Sequence, residues 1–473
     1  MKRQMIFSAI VFAWACSAGL AGAAESSEPN LALTVYTDSF AVVRESRHIV
    51  FEKGLNTVKF TDVASAIDPT SVNFQCLSAP GVVSILEQNY EYDLVGTAGL
   101  LRRYIDKNVT VIVKGSGADA ARELTGVLLA MTGNELILKG PANNIEIIDK
   151  NSVEQISLKE PVDDMAIKPT LVWLANAAED GNQLCRLSYT TGQIGWSADY
   201  SAVLNGDESK LDFSGWVTID NKSGTAYRDS AINLIAGDVR RITEPKPVYR
   251  RMALAAEMDA AAAGFEETPF MEYHLYTLGR SSTINDNQVK QIEFISPVHN
   301  VPTKKLYIYE RGQQQIYRSE QQNGKVQVKL EFENTTENKL GIALPAGKVR
   351  VYKKQAADKA LEFVGEDRIN HTAEKEKLSV YVGNAFDIVP EYTLLEQQAG
   401  RRMRQEKHKI EFRNRKDSPV TVFVDEKFPH GVNWTIDEST HKYEKRDAYT
   451  ARFEVKIEAD SAVTVGYTAT QRW

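Results

Sequence analysis

The densest run of chemically capable side chains is Gly365-Glu366-Asp367-Arg368-Ile369-Asn370-His371-Thr372. Two carboxylates, a guanidinium and an imidazole this close in sequence are the parts of an acid–base site or a cation site. Hydrolysis would need the carboxylates and His371 to titrate apart, inside a cleft that excludes water. Arg368 adjoins both acids and favours their ionised forms, which suits an ion pair better than a general acid. A zinc ion would draw at least three ligands, and this stretch offers one histidine. The expectation is a loop in which Glu366 and Asp367 pair with Arg368 or accept from backbone amides. The alternative is a hydrolase built on Glu366, Asp367 and His371.

Two smaller groups stand apart from this run. Of three cysteines, Cys76 follows Val72 and Phe74 at period two, and Cys185 shares a face with Leu187 and Tyr189. Both therefore point into a core. A disulfide between them is permitted in an oxidising compartment, and two separately buried thiols is the other reading. Trp196, Tyr200 and Trp216 could stack on a sugar ring, with core packing the expected use. No His-Glu-x-x-His, nucleophile elbow, phosphate-binding loop or Cys-x-x-Cys is present, and the seven histidines are scattered. No metal and no cofactor is expected.

The elements that must hold these groups read as strands. Period-two alternation recurs through most of the chain. Lys325 to Glu333 places Val326, Val328, Leu330 and Phe332 on one face and charged or amide side chains on the other, as in an antiparallel sheet with one wet face. Strands expected at 109–114, 123–131, 135–139, 145–149 and 153–158 follow a helical turn or two near Leu100 and suggest a small barrel of the SH3 or Sm kind. An internal repeat is also visible. Strands ending at Asn221, Asn334 and Asn414 each run into a polar turn and a second apolar strand, the pattern of immunoglobulin-like sandwiches. Asn is expected there because it tolerates left-handed backbone and bonds its own turn. The expected organisation is an N-terminal β-domain (25–97), the barrel (98–160), a first sandwich part (161–248), an exposed linker (249–272) and a C-terminal sandwich part (273–473). The fold class is mainly β, with little helix.

The first residues read as an export leader. Lys2 and Arg3 precede an apolar run, and Ala21-Gly22-Ala23-Ala24 offers a cleavage site after Ala23 or Ala24. No transmembrane helix is expected in the remainder, and the periplasm is the expected compartment, with outer-membrane association or secretion as alternatives. Removing Lys2 and Arg3 takes the net charge from -7 to -9, which disfavours nucleic acid as a partner.

Several stretches resemble a bacterial family of domains of unknown function found in mucoidy-inhibitor A-like envelope proteins. They include Lys168-Pro169-Thr170-Leu171-Val172-Trp173, Trp196-Ser197-Ala198-Asp199-Tyr200, Leu344-Pro345-Ala346-Gly347, Gly365-Glu366-Asp367, Ala385-Phe386-Asp387 and the closing run from Tyr467 to Trp473. The resemblance implies a mostly β envelope protein without established activity, and it carries over no catalytic residues. Longer members hold a coiled coil where this chain has the barrel-like unit. The family name comes from mucoid colony appearance, which hints at cell-surface polysaccharide. The resulting expectation is a non-enzymatic envelope module that binds protein or glycan partners through β-domains. The alternatives are the hydrolase above and a surface adhesin or outer-membrane-associated structural protein.

Overall fold

The computed structural model describes residues 30–92, 97–114, 121–159, 168–237, 239–240, 265–271, 273–311, 324–355 and 360–473. The expected leader, and residues 249–264 and 272 of the expected linker, lie outside them. Strand makes up 68% of the described residues and helix 3%. Side-chain direction is therefore set almost everywhere by alternation across a sheet.

Among the described residues, six mostly antiparallel sheets carry the fold. Sheet I runs in the order Phe265–Phe270, Tyr273–Leu278, Tyr227–Ala236, Leu31–Tyr36, Phe40–Phe51, Gly181–Gly192, Asn73–Cys76, with Ser282–Ile284 pairing beside Tyr227–Ala236. Sheet II is Gly54–Thr61, Thr170–Ala177, Val83–Glu91. Sheet III is Val153–Leu158, Asn108–Val113, Arg122–Met131, Glu135–Lys139, Ile145–Asp149. Sheet IV is Gln288–Pro302, Lys210–Asn221, Ile194–Leu204, Gly347–Lys354, Leu361–Ile369. Sheet V is Lys377–Asn384, Gln327–Glu333, Lys304–Arg311, Val420–Lys427, Thr450–Ile457, Tyr443–Asp447. Sheet VI is Ile388–Ala399, Met403–Asn414, Ala462–Arg472, Asn433–Ser439.

Sheet III is the unit expected as a barrel. Its five strands fall within a residue of the expected positions, after a short helix Thr97–Arg102, but no closed barrel is present among the described residues. It has its own core around Val111, Leu128, Leu136 and Leu138. It is inserted between Val83–Glu91 and Thr170–Ala177, which are neighbours in sheet II. Sheets I and II combine strands from both sides of the insertion. The segments expected as 25–97 and 161–248 thus share one core, which includes Leu33, Val43, Leu171, Trp173 and Val217. The expected linker also ends early, because Phe265–Phe270 is a strand paired with Tyr273–Leu278.

The repeated asparagines mark where the chain crosses between sheets. Lys210–Asn221 leaves sheet IV for sheet I, Gln327–Glu333 leaves sheet V for sheet IV, and Met403–Asn414 leaves sheet VI for sheet V. Asn221, Asn334 and Asn414 are each fully buried. In every case the amide oxygen accepts a backbone N–H of the turn: Ser223 at 3.1 Å, Gly341 at 3.0 Å and Lys416 at 3.1 Å. The amide nitrogen donates both within its own crossing and to a later one. Asn221 reaches the carbonyls of Thr225 and Asn285, both at 2.9 Å. Asn334 reaches those of Ile342 at 2.6 Å and Ala373 at 2.9 Å. Asn414 reaches those of Ser418 at 2.9 Å and Glu458 at 3.0 Å. Each later carbonyl sits where the chain crosses back between the same two sheets. None of the three asparagines is left-handed. Of the two properties expected of asparagine, the bond to its own turn is what these corners use, and left-handed backbone is not.

Candidate functional site

The polar run singled out in the sequence is strand rather than loop up to Ile369, and its residues diverge. Glu366 lies opposite Arg350 across sheet IV, with its Oε2 3.6 Å from Arg350 Nε and 3.7 Å from Lys348 Nζ. Asp367, one residue on, points to the other face. Its Oδ2 accepts the backbone N–H of Tyr381 at 2.8 Å, and its Oδ1 accepts that of Arg368. This joins the edge of sheet IV to Lys377–Asn384 of sheet V. Gly365 permits the approach, since a Cβ there would lie 2.3 Å from the Val382 carbonyl oxygen. Arg368 and His371 are exposed, and His371 Nδ1 accepts the Ala346 N–H at 3.2 Å. The two carboxylates and the imidazole do not converge on a common point.

Glu366 instead belongs to a row of polar side chains across the outer face of sheet IV. Alternation buries Trp196, Ala198, Tyr200, Phe213, Val217, Ile219, Val349 and Val351 on the inner face. The residues between them must face outward. Arg350 Nη1 donates to Asp199 Oδ1 at 3.3 Å, and Thr218 Oγ1 donates to Asp199 Oδ2 at 3.0 Å. Gln291 Nε2 donates to Thr218 Oγ1 at 3.2 Å, which carries the row onto Gln288–Pro302. Trp216 stands in the middle, directly opposite Asp199 on one side and Glu293 on the other. It is 43% exposed. Among the described residues its indole has neither a hydrogen-bond partner nor a ring partner. Of the three aromatics considered for sugar stacking, Trp196 and Tyr200 are core and Trp216 alone is presented to solvent.

The face has a second aromatic point. Phe363, 57% exposed, meets Tyr352 edge-on at 5.8 Å. Tyr352 lies two strands over and four residues along from Trp216, roughly 16 Å at ordinary strand spacing and rise. At the opposite end, Ser197, Thr218 and Asp220 line a cavity of about 390 Å³ with Thr37, Ser39 and Gln193. The outer face thus runs from a cavity, past an exposed indole and a row of paired charges, to an aromatic pair.

A buried charged cluster went unread in the sequence. It lies between sheets V and VI. Arg311 Nη2 pairs with Glu426 Oε1 at 2.8 Å, and Tyr467 donates to Glu426 Oε2 at 2.6 Å. Arg311 also bonds Tyr392, whose hydroxyl is 2.9 Å from His408 Nδ1. Arg404 pairs with Glu406 at 2.5 Å. Burial, with Arg311 and Arg404 adding, drives the His408 pKa down to about 2, so the ring is neutral. Burial raises Glu426, against the pull of Arg311 and Tyr467. Arg311, Glu406, His408 and Glu426 are nearly inaccessible. The signal was available, since Glu406 and His408 fall on the same alternation as Ile410 and Phe412.

Cys76 and Cys185 are both buried and both thiols, facing each other across Asn73–Cys76 and Gly181–Gly192. No cluster of His, Cys, Asp or Glu among the described residues could hold a metal ion. No described helix is long and apolar enough to cross a membrane. Comparison with protein-family models and with curated proteins finds no match.

Proposed function

We propose that this chain is a non-enzymatic scaffold of the bacterial cell envelope that binds a glycan chain along the outer face of sheet IV. The observation that carries the reading is Trp216, an indole left open in the middle of a polar sheet face. An exposed aromatic plane offers an apolar surface to the C–H face of a sugar ring, and flanking carboxylates, guanidinium and amide groups can exchange hydrogen bonds with hydroxyls. Asp199, Arg350, Glu366 and Lys348 are paired with one another, so the face carries no large field of one sign. It suits a neutral chain better than a polyanion. The distance from Trp216 to the Tyr352–Phe363 pair favours a chain of several sugar units over a monosaccharide. The export leader and the resemblance to mucoidy-inhibitor A-like proteins support an envelope setting. The crossing of strands between facing sheets supports immunoglobulin-like sandwich modules. The strand order of sheet III, with its last strand beside its first, supports an SH3- or Sm-like inserted unit.

The divergence of Glu366, Asp367 and His371 counts against the hydrolase reading, which would need them in one cleft. The test is affinity electrophoresis of the full chain through gels containing neutral envelope polysaccharides. Retardation is expected, and Trp216→Ala is expected to abolish it while leaving the melting temperature unchanged. Equal mobility of wild type and variant in every gel would overturn the reading.

A further inference from the structure

Cys76 and Cys185 are direct partners in an antiparallel pair. The next pair along, Leu77 and Leu184, is joined by a backbone bond from Leu77 N–H to the Leu184 carbonyl at 2.7 Å. Hydrogen-bonded and non-hydrogen-bonded pairs alternate in such a ladder, so the cysteines occupy a non-hydrogen-bonded position, where Cα atoms come within about 4.5 Å and side chains are closest. That separation lies inside the range a disulfide spans. Both thiols are buried in one pocket with Phe51, Val83, Ala175 and Ala177. They also contact each other, and burial followed by the neighbouring Cys76 pushes Cys185 up to about 12. Asn73–Cys76 is a four-residue strand at the edge of sheet I.

From this register we infer that Cys76 and Cys185 are the two halves of a cross-strand disulfide that fixes the short edge strand to Gly181–Gly192. The oxidant is a disulfide-bearing partner of the glutathione or thiol–disulfide oxidoreductase class. One cysteine thiolate attacks a sulfur of that disulfide, forming a mixed disulfide and releasing one thiol. The second cysteine attacks the mixed disulfide, forming the Cys76–Cys185 bond and releasing the other thiol. Two electrons pass to the oxidant, and the two protons leave on its thiols. The raised Cys185 sets the timing. A buried thiol of this kind forms little thiolate, so the bond is made before the edge strand docks and is then sealed from reductant. The inserted sheet III lies within the loop that the bond closes.

The test is refolding of the full, reduced chain from denaturant in a mixture of oxidised and reduced glutathione. The soluble, folded fraction is then unfolded in an alkylating reagent without reductant and mapped by mass spectrometry. A linked peptide pair containing Cys76 and Cys185, lighter by two hydrogen atoms and unlabelled, is expected. Cys76→Ser should leave Cys185 labelled. Adding the same glutathione mixture to already folded, reduced chain should oxidise the pair at least about tenfold more slowly. A Cys76→Ala/Cys185→Ala double variant, which removes the bond without leaving a polar group in the pocket, should melt below the oxidised wild type and close to the reduced one. Alkylation of both cysteines in the folded fraction from oxidative refolding would overturn the inference, as would equal melting of oxidised and reduced chain.

Discussion

Arg350 and Asp199 meet across two parallel strands of sheet IV, with the guanidinium donating to the carboxylate at 3.3 Å on the face that presents Trp216. Arg350 is 38% exposed and its partner 22%. A partly solvated pair contributes little to stability, about 1 kcal/mol or less. Arg350→Ala should therefore lower stability by no more than that in urea unfolding. It should still weaken retention by a neutral polysaccharide, because it loosens the carboxylates on either side. A loss of several kcal/mol would show the pair to be structural and not part of a binding face.

Asn414→Ala is expected to be far more damaging than its size suggests. The amide fills a closed corner and serves four partners besides its own backbone. Each buried group left without a partner costs about 1–3 kcal/mol. Asn334→Ala should behave alike, since its corner is bonded in the same way. Chemical denaturation of both variants checks this. A shift under about 0.5 kcal/mol, the ordinary effect of a surface substitution, would mean the corners are not pinned by these amides.

Removing one member of the buried Arg311–Glu426 pair should cost about 3–5 kcal/mol, because the remaining charge has no exit to solvent. Replacing both together, by Arg311→Met and Glu426→Leu, should cost much less. Melting of the two single variants and the double variant separates these outcomes. Near-additive losses would argue against a coupled pair.

Stability should depend on pH through His408. Its folded pKa, about 2, lies below its ordinary value near 6.5. The unfolded chain therefore binds a proton that the folded chain refuses. The contribution is fully present above about pH 6.5 and is lost as pH falls from there toward 2, with a slope of about one proton. Glu426, raised by burial, has the opposite sign: its contribution is greatest below its ordinary range and is lost as pH rises through the folded value. Comparing wild type with His408→Gln over pH 4.5–7 isolates the first effect. Parallel curves would remove His408 as its source.

Much of this fold was legible in the sequence, and the gaps have physical causes. The strands of sheet III were readable because Gly115-Ser116-Gly117, Thr132-Gly133-Asn134 and Gly140-Pro141 punctuate clear alternation. The asparagine repeat and the bond of each amide to its own turn were readable, but the second reach of the amide was not. Nothing local says that Asn414 bonds a carbonyl 44 residues away. Trp216 was grouped with Trp196 and Tyr200 as core by residue type, whereas parity with Val217 and Ile219 places it on the opposite face. Glu366, Asp367 and His371 looked convergent because they are close in sequence. A strand sends consecutive residues to opposite faces, so that closeness worked against convergence. The Arg311–Glu426 contact spans 115 residues, beyond any local signal.

The asparagine corners also impose an order in time. Each amide reaches a carbonyl that comes later in the chain, 64 residues on for Asn221, 39 for Asn334 and 44 for Asn414. A chain emerging from its N-terminus cannot close any corner until that later segment has arrived. The two downstream corners have short waits and involve neighbouring segments, so each can lock soon after it appears. Sheet I waits longest. Its strands Leu31–Tyr36 and Phe40–Phe51 are among the first to emerge, yet they pair with Tyr227–Ala236 and Gly181–Gly192. During that interval their apolar faces and open edges are unpaired. For a chain that emerges N-terminus first, the earliest strands are the ones that most need a holding partner.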